Sequence, residues 1–264
     1  MKQRLITAFF GFAVLIPVLI FSDTLALPVA VALFSALGVY EMLGCVGVRK
    51  HLEITIPSML IAAAGPVAVR YLTVLTDRLS YNLAVISAVS FIYMFYLMCV
   101  TVVSKGKKNI LDTALVFMTT VYITIGFSSI VMIRDLPNGQ FLVYLVFIGA
   151  WVTDGAAYFV GRAMGKHKLI PDVSPKKTVE GAVGGVIFCG LSFALYGLIV
   201  GKFSSSTTHY IEIIVAGLII AVISEFGDLI ASLIKRHYGF DSIIAIAPFL
   251  LMLCAYPEVY ALFV

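Results

Sequence analysis

The sequence predicts an all-α, polytopic membrane protein of about nine transmembrane helices with its N-terminus in the cytoplasm, and three observations carry that expectation. Of its 264 residues, 61% are hydrophobic and only 12% are charged, whereas a soluble domain carries roughly 25% charged residues. The apolar residues fall into blocks of about 20, the length at which a helix crosses a hydrocarbon layer. Between those blocks the basic residues collect in alternate loops, as they do when alternate loops stay in the cytoplasm.

Taken in order, the expected spans are 5–22, 25–47, 54–74, 82–103, 110–133, 141–162, 182–200, 210–234 and 242–263. Lys2 and Arg4 precede the first as they would a secretory signal, but no small-residue cleavage site follows Phe21-Ser22-Asp23, so it is read as a retained helix. The first five spans hold little charge beyond Glu41, a lone carboxylate near the inner end of the second. The sixth and eighth bring carboxylates and cations together. The chain therefore divides near residue 140 into membrane helices that act as scaffold (1–140) and membrane helices that carry the polar site (141–264). No internal repeat is evident, which argues against a transporter built from inverted halves. Spans rich in small residues permit a homodimer.

Orientation follows from Lys and Arg. With the N-terminus inside, the inner segments hold Lys2, Arg4, Arg49, Lys50, Lys105, Lys107, Lys108, Arg162, Lys166, Lys168, Lys176, Lys177, Lys235 and Arg236, and the outer loops only Arg70, Arg78, Arg134 and Lys202. A missed or extra helix would scramble that split. The net charge of +4 is a by-product of this bias, and basic inner loops attract anionic membrane lipids, so no nucleic-acid partner is expected. Cys45, Cys99, Cys189 and Cys254 sit in apolar runs without paired metal-type spacing. They read as small hydrophobes, with neither a disulfide nor zinc expected. His51, His167, His209 and His237 fall in loops or at interfaces and show no ligand or triad spacing.

Three stretches could carry chemistry. On the sixth span Asp154, Tyr158, Gly161, Arg162 and Gly165 recur at three- and four-residue steps, a polar stripe on an apolar helix. An ionisable residue at such depth is a functional candidate; an Asp–Arg pair joining two closely packed helices is the plainer explanation. The inner loop 165–181 then supplies Lys166, Lys168, Lys176 and Lys177 with Ser174, Thr178, Glu180 and a glycine opening the next helix. Ammonium groups and free helix N-terminal N–H groups suit phosphate oxygens, but a solvated inner loop is lysine-rich for topological reasons alone. On the eighth span Glu225, Asp228, Ser232 and Lys235 share a stripe, with Arg236 beside it. Mg²⁺ takes one or two carboxylates plus substrate phosphates, so carboxylates a turn or two from cations suit a Mg²⁺–phosphate site. Snorkelling to the interface would explain Lys235 and Arg236, but not Glu225 and Asp228 together.

These residues resemble the phosphatidate cytidylyltransferase (CDP-diacylglycerol synthase) family. Asp154-Gly-Ala-Ala-Tyr158 with Gly161-Arg162 is similar to its Asp-Thr-Gly-Ala-Tyr and Gly-Arg element, and Ser174-Pro-Lys-Lys-Thr178-Val-Glu180-Gly181 to its Ser-Pro-Lys-Lys-Thr-x-Glu-Gly motif. Gly227-Asp228-Leu through Ser232-Leu-Ile-Lys235-Arg236 is similar to the start of its C-terminal signature. The resemblance implies transfer of a cytidylyl group from CTP to phosphatidic acid at the cytoplasmic face of the cell membrane, giving CDP-diacylglycerol and pyrophosphate. It implies catalytic roles for Asp228, Lys235, Arg236 and Asp241, with Asp228 and Asp241 as ligands of Mg²⁺ and a second cation left open. Asp154, Tyr158, Arg162, Ser174, Lys176, Lys177, Thr178, Glu180 and Ser232 are implied to bind substrate.

The chain also departs from the family pattern. Lys235-Arg236-His-Tyr-Gly239 runs straight into Phe240-Asp241-Ser242, where the family continues through Lys-Asp, a Pro-Gly-His-Gly-Gly loop and Asp-Arg-x-Asp. About 20 residues are expected to be missing after Gly239, judged against connecting loops of usual length. Ala231 stands where the family commonly has Glu. An impaired enzyme, a non-catalytic lipid-binding membrane protein, and another CTP-dependent lipid enzyme such as a polyprenol kinase are the alternatives this opens.

Overall fold

The computed structural model describes residues 15–75, 79–105, 109–201 and 210–238. After a helical stretch at 15–20, the helices are α1 (Ala26–Cys45), α2 (Leu52–Leu75), α3 (Leu79–Val103), α4 (Ile110–Asp135), α5 (Gly139–Met164), α6 (Val179–Val200) and α7 (Tyr210–Tyr238). A short hairpin, β1 (Lys168–Ile170) and β2 (Ser174–Thr178), lies between α5 and α6. All seven helices are long and apolar enough to cross a membrane. They match the second to eighth expected spans, with every end within four residues of expectation. The ninth span, and residues 5–14 of the first, lie outside the described residues.

Local chemistry sets the boundaries. Asn109 caps α4 by accepting the Leu111 N–H at 3.0 Å. Asn138 takes the left-handed conformation that asparagine tolerates, at φ 59°, and starts α5 three residues after α4 ends. Pro57 and Pro66 lie inside α2, as membrane helices allow when neighbours satisfy the freed carbonyls.

The helices pack as two groups. α1, α2 and α4 surround one apolar core, whose largest fully buried side chains include Leu27, Leu43 and Ile123. α3 lies at its edge, with Phe91, Ile92 and Phe95 exposed on the outside. Tyr93 ties that helix in, its hydroxyl 2.6 Å from Ser58 Oγ on α2 and donating to Thr120 Oγ1 on α4 at 3.2 Å. The second core joins α5, α6 and α7 around Leu145, Cys189, Phe193, Ile213 and Ile220. α5 packs most extensively on α6, because glycines let the backbones meet: a Cβ on Gly181 would stand 2.7 Å from the Ala157 carbonyl oxygen.

The polar groups gather at opposite ends of α5, a 26-residue helix about 39 Å long at 1.5 Å per residue. At the end where α5 begins, Arg70 pairs with Asp135, and Arg134 pairs with Asp23 and donates to Ser22 Oγ at 2.7 Å. At the end where α5 stops, the chain enters the hairpin.

Candidate active site

Four elements build one cavity where α5 ends. The hairpin exists because Ile170-Pro171-Asp172-Val173 makes a turn, closed by the Val173 N–H donating to the Ile170 carbonyl at 3.2 Å, with proline at the position whose φ it presets. Lys168 then pairs with Thr178 and Ile170 with Ser174 in antiparallel register. Thr178 ends β2 and caps α6 by accepting the Gly181 N–H at 3.2 Å. The base of the hairpin is pinned by Glu180, which accepts the Lys166 and His167 backbone N–H groups at 3.1 and 3.2 Å and meets His167 Nδ1 at 2.7 Å. Its tip is held from α7, where Arg236 donates to the Asp172 carbonyl at 2.7 Å.

The cavity encloses about 390 Å³, within the size range of small-molecule sites. Asp154, Tyr158 and Arg162 line it from α5, Ser174, Lys176, Lys177 and Thr178 from β2, and Glu225 and Asp228 from α7. Gly161 of α5 and Gly181 of α6 form the seam behind Thr178, where a Cβ on Gly161 would stand 2.8 Å from Thr178 Oγ1. At the opening Arg162 donates to the Tyr158 hydroxyl at 3.3 Å, and Arg162 and Lys176 are exposed.

At the floor the Lys177 ammonium meets Glu225 Oε2 at 2.6 Å and Asp228 Oδ2 at 2.9 Å. Burial alone would lower the pKa of that ammonium. The hydrogen bonds and negative charges of the two carboxylates outweigh burial and raise it above its ordinary value.

Eight of the residues named from the sequence are therefore gathered here: Asp154, Tyr158, Arg162, Ser174, Lys176, Lys177, Thr178 and Asp228. Glu180 lies outside the lining and serves the base of the hairpin. Ser232, half-buried on α7, and Arg236, engaged with the hairpin tip, are likewise not in the wall. Lys235 belongs to α7, its side chain outside the described residues, as is Asp241 altogether. Glu225 joins the wall without having been named among the site residues, although its place on the Asp228 stripe was the signal for it.

The cytidylyltransferase family matches residues 2–241. A phosphatidate cytidylyltransferase of Staphylococcus haemolyticus (strain JCSC1435) is 30% identical over 239 residues, 90% of this chain and 86% of that protein. One of Staphylococcus aureus (strain COL) is 31% identical over 240 residues, with the same shares. One of Staphylococcus saprophyticus is 38% identical over 152 residues, 58% of this chain and 55% of its own length. The match over nearly the whole sequence, joined to a cavity walled by the motif residues themselves, makes this chain a member of the cytidylyltransferase family.

Proposed function

We propose that the chain transfers a cytidylyl group from CTP to phosphatidic acid, forming CDP-diacylglycerol and pyrophosphate, at the cytoplasmic face of the cell membrane. The observation that carries this reading is the convergence of Arg162, Lys176, Lys177, Asp154 and Asp228 from three elements on one cavity at the end of the membrane helices. A nucleoside triphosphate brings several negative charges, and fixed cations in a partly dry cavity stabilise the charge that develops as its α-phosphorus is attacked. Arg162 and Lys176, exposed at the opening, meet the phosphates of nucleotide and lipid. Lys177, held at the floor, supplies charge at a fixed place.

The donor set suits a divalent cation. Asp228 is 43% exposed and Asp154 lines the same cavity, while no three His, Cys, Asp or Glu groups among the described residues form a ready cage. Mg²⁺ habitually takes one or two carboxylates and completes its shell with substrate phosphates and water. Asp228 would hold it, with Asp154 on the same cavity and Asp241 as the further ligand that the family resemblance implies. Such an ion, alone or with a second cation, would neutralise phosphate charge as a Lewis acid. A homodimer and bound anionic lipids complete the proposed working state.

Pyrophosphate release from CTP, Mg²⁺ and phosphatidic acid by the purified chain in detergent tests the reading. Release is expected with phosphatidic acid, is absent when a prenol replaces it, and falls at least about 100-fold in Asp228→Asn. A chain that turns over only when a family-like segment is inserted after Gly239 would locate its defect in that segment. CDP formed from CTP and the prenol, without pyrophosphate, would make the chain a prenol kinase instead.

A further inference from the structure

Glu225 has no part in the chemistry outlined above, yet it is the more deeply set of the two carboxylates on Lys177. Its side chain is 7% exposed, against 43% for Asp228. Lys177 Nζ donates to its Oε2 at 2.6 Å and approaches its main-chain carbonyl at 3.4 Å. The other oxygen, Oε1, is buried and has no hydrogen-bond partner among the described residues. Gly185 of α6 makes room for it, since a methyl group there would stand 3.2 Å from Oε1 and 2.9 Å from the Thr153 carbonyl oxygen. One ammonium thus has a deep partner, walled in by helix packing, and a shallow partner that faces the cavity.

The difference matters when a cation reaches Asp228. Asp228 cannot offer its full charge to an incoming ion while it is needed to balance Lys177, whose side chain is only 18% exposed. Leaving that ammonium without a counter-charge in a desolvated place is strongly unfavourable. A second, permanent carboxylate removes the obstacle.

We propose that Glu225 is a positioning residue that keeps Lys177 paired while Asp228 is handed over to a divalent cation. Lys177 then stays at the cavity floor with its charge balanced, and the site exchanges one partner of the ammonium without moving the ammonium. This inference rests on the reading of Asp228 as a metal ligand.

The test is Mn²⁺ binding to the purified full chain in detergent without nucleotide, read from the free-ion EPR signal. The proteins compared are the wild type, Asp228→Asn, Glu225→Gln, Glu225→Asp, Lys177→Met and the Glu225→Gln/Lys177→Met pair. Wild-type binding that Asp228→Asn abolishes is expected. Glu225→Gln keeps the shape and removes the charge, and is expected to bind Mn²⁺ about tenfold more weakly. Glu225→Asp keeps the charge and is expected to retain most of the affinity, which separates charge from packing if the glutamine variant folds poorly. In the Lys177→Met background no ammonium is left to strand, so adding Glu225→Gln is expected to change binding by less than about threefold. An equal loss in both backgrounds would show Glu225 acting on the ion directly and overturn the handover, as would undiminished binding in Glu225→Gln or a loss in Glu225→Asp as large as in Glu225→Gln. Mn²⁺ binding that is absent from the wild type, or indifferent to Asp228→Asn, would remove the metal site itself and the handover with it.

Discussion

Lys177 shows how far one side chain's setting departs from what its neighbours in sequence suggest. It stands beside Lys176 in the same motif, yet Lys176 is exposed while Lys177 is drawn down between Glu225 and Asp228. Because the pKa of Lys177 is raised above its ordinary 10.5, its ion pairs contribute stability in full below that value, and the contribution is lost only as pH rises through the still higher folded-state pKa. The loss of unfolding midpoint caused by Lys177→Met in detergent should therefore be the same at pH 8, 8.5 and 9. A loss that shrinks across this range would mean that the ammonium titrates within it. Asp154, Asp228 and the lysines are legible in the sequence because charge in an apolar helix, or clustered in a loop, stands out. The pairing of Lys177 with Glu225 is not, because 48 residues separate them and only the packing of α5, α6 and α7 sets their distance.

At the scale of elements, the helices are readable and the hairpin is not. Blocks of about 20 apolar residues can do little else in a bilayer than form helices, so the ends of α1 to α7 fall close to where the apolar runs stop. The stretch 165–181 has no apolar alternation to announce strands, and its two short strands are held by contacts from outside: Glu180 at the base and Arg236 at the tip. Both residues bear on the site through the placing of Lys176 and Lys177. Glu180→Gln keeps the size of the side chain but weakens its hold on the backbone N–H groups and on His167, and should lower kcat/KM for CTP about tenfold with the unfolding midpoint shifted by only a few degrees. Steady-state kinetics with a parallel melt checks this, and an unchanged kcat/KM would show that the hairpin base needs no such pin.

For the whole molecule, the working cavity belongs to α5, α6, α7 and the hairpin, while α1, α2, α3 and α4 pack around a separate apolar core. The hydrogen-bonded set of Tyr93, Ser58 and Thr120 lies in the group of α1 to α4, and none of the three lines the cavity. Hydrogen bonds between membrane helices average about 0.6 kcal/mol each. Tyr93→Phe removes two, so it should cost about 1 kcal/mol of stability, seen in the unfolding midpoint in mild detergent, and leave pyrophosphate release unchanged. A fall in rate at full stability would instead tie the scaffold to catalysis. The Lys and Arg alternation along the chain sets Arg70 and Arg134 away from the lysine-bearing hairpin, but does not give their partners Asp135 and Asp23, because residues as distant as Asp23 and Arg134 meet only once α4 is packed.

The clasp on Lys177 has a further consequence for how α7 sits among the membrane helices. α7 carries Glu225 and Asp228 and is also long and apolar enough to cross a membrane. An acidic residue near the centre of a helix opposes its entry into the bilayer by about 3 kcal/mol. The Lys177 ammonium, paired with both carboxylates in the finished structure, offsets part of that opposition, so the contact that sets the charge of the cavity also helps to keep in place the helix that completes it.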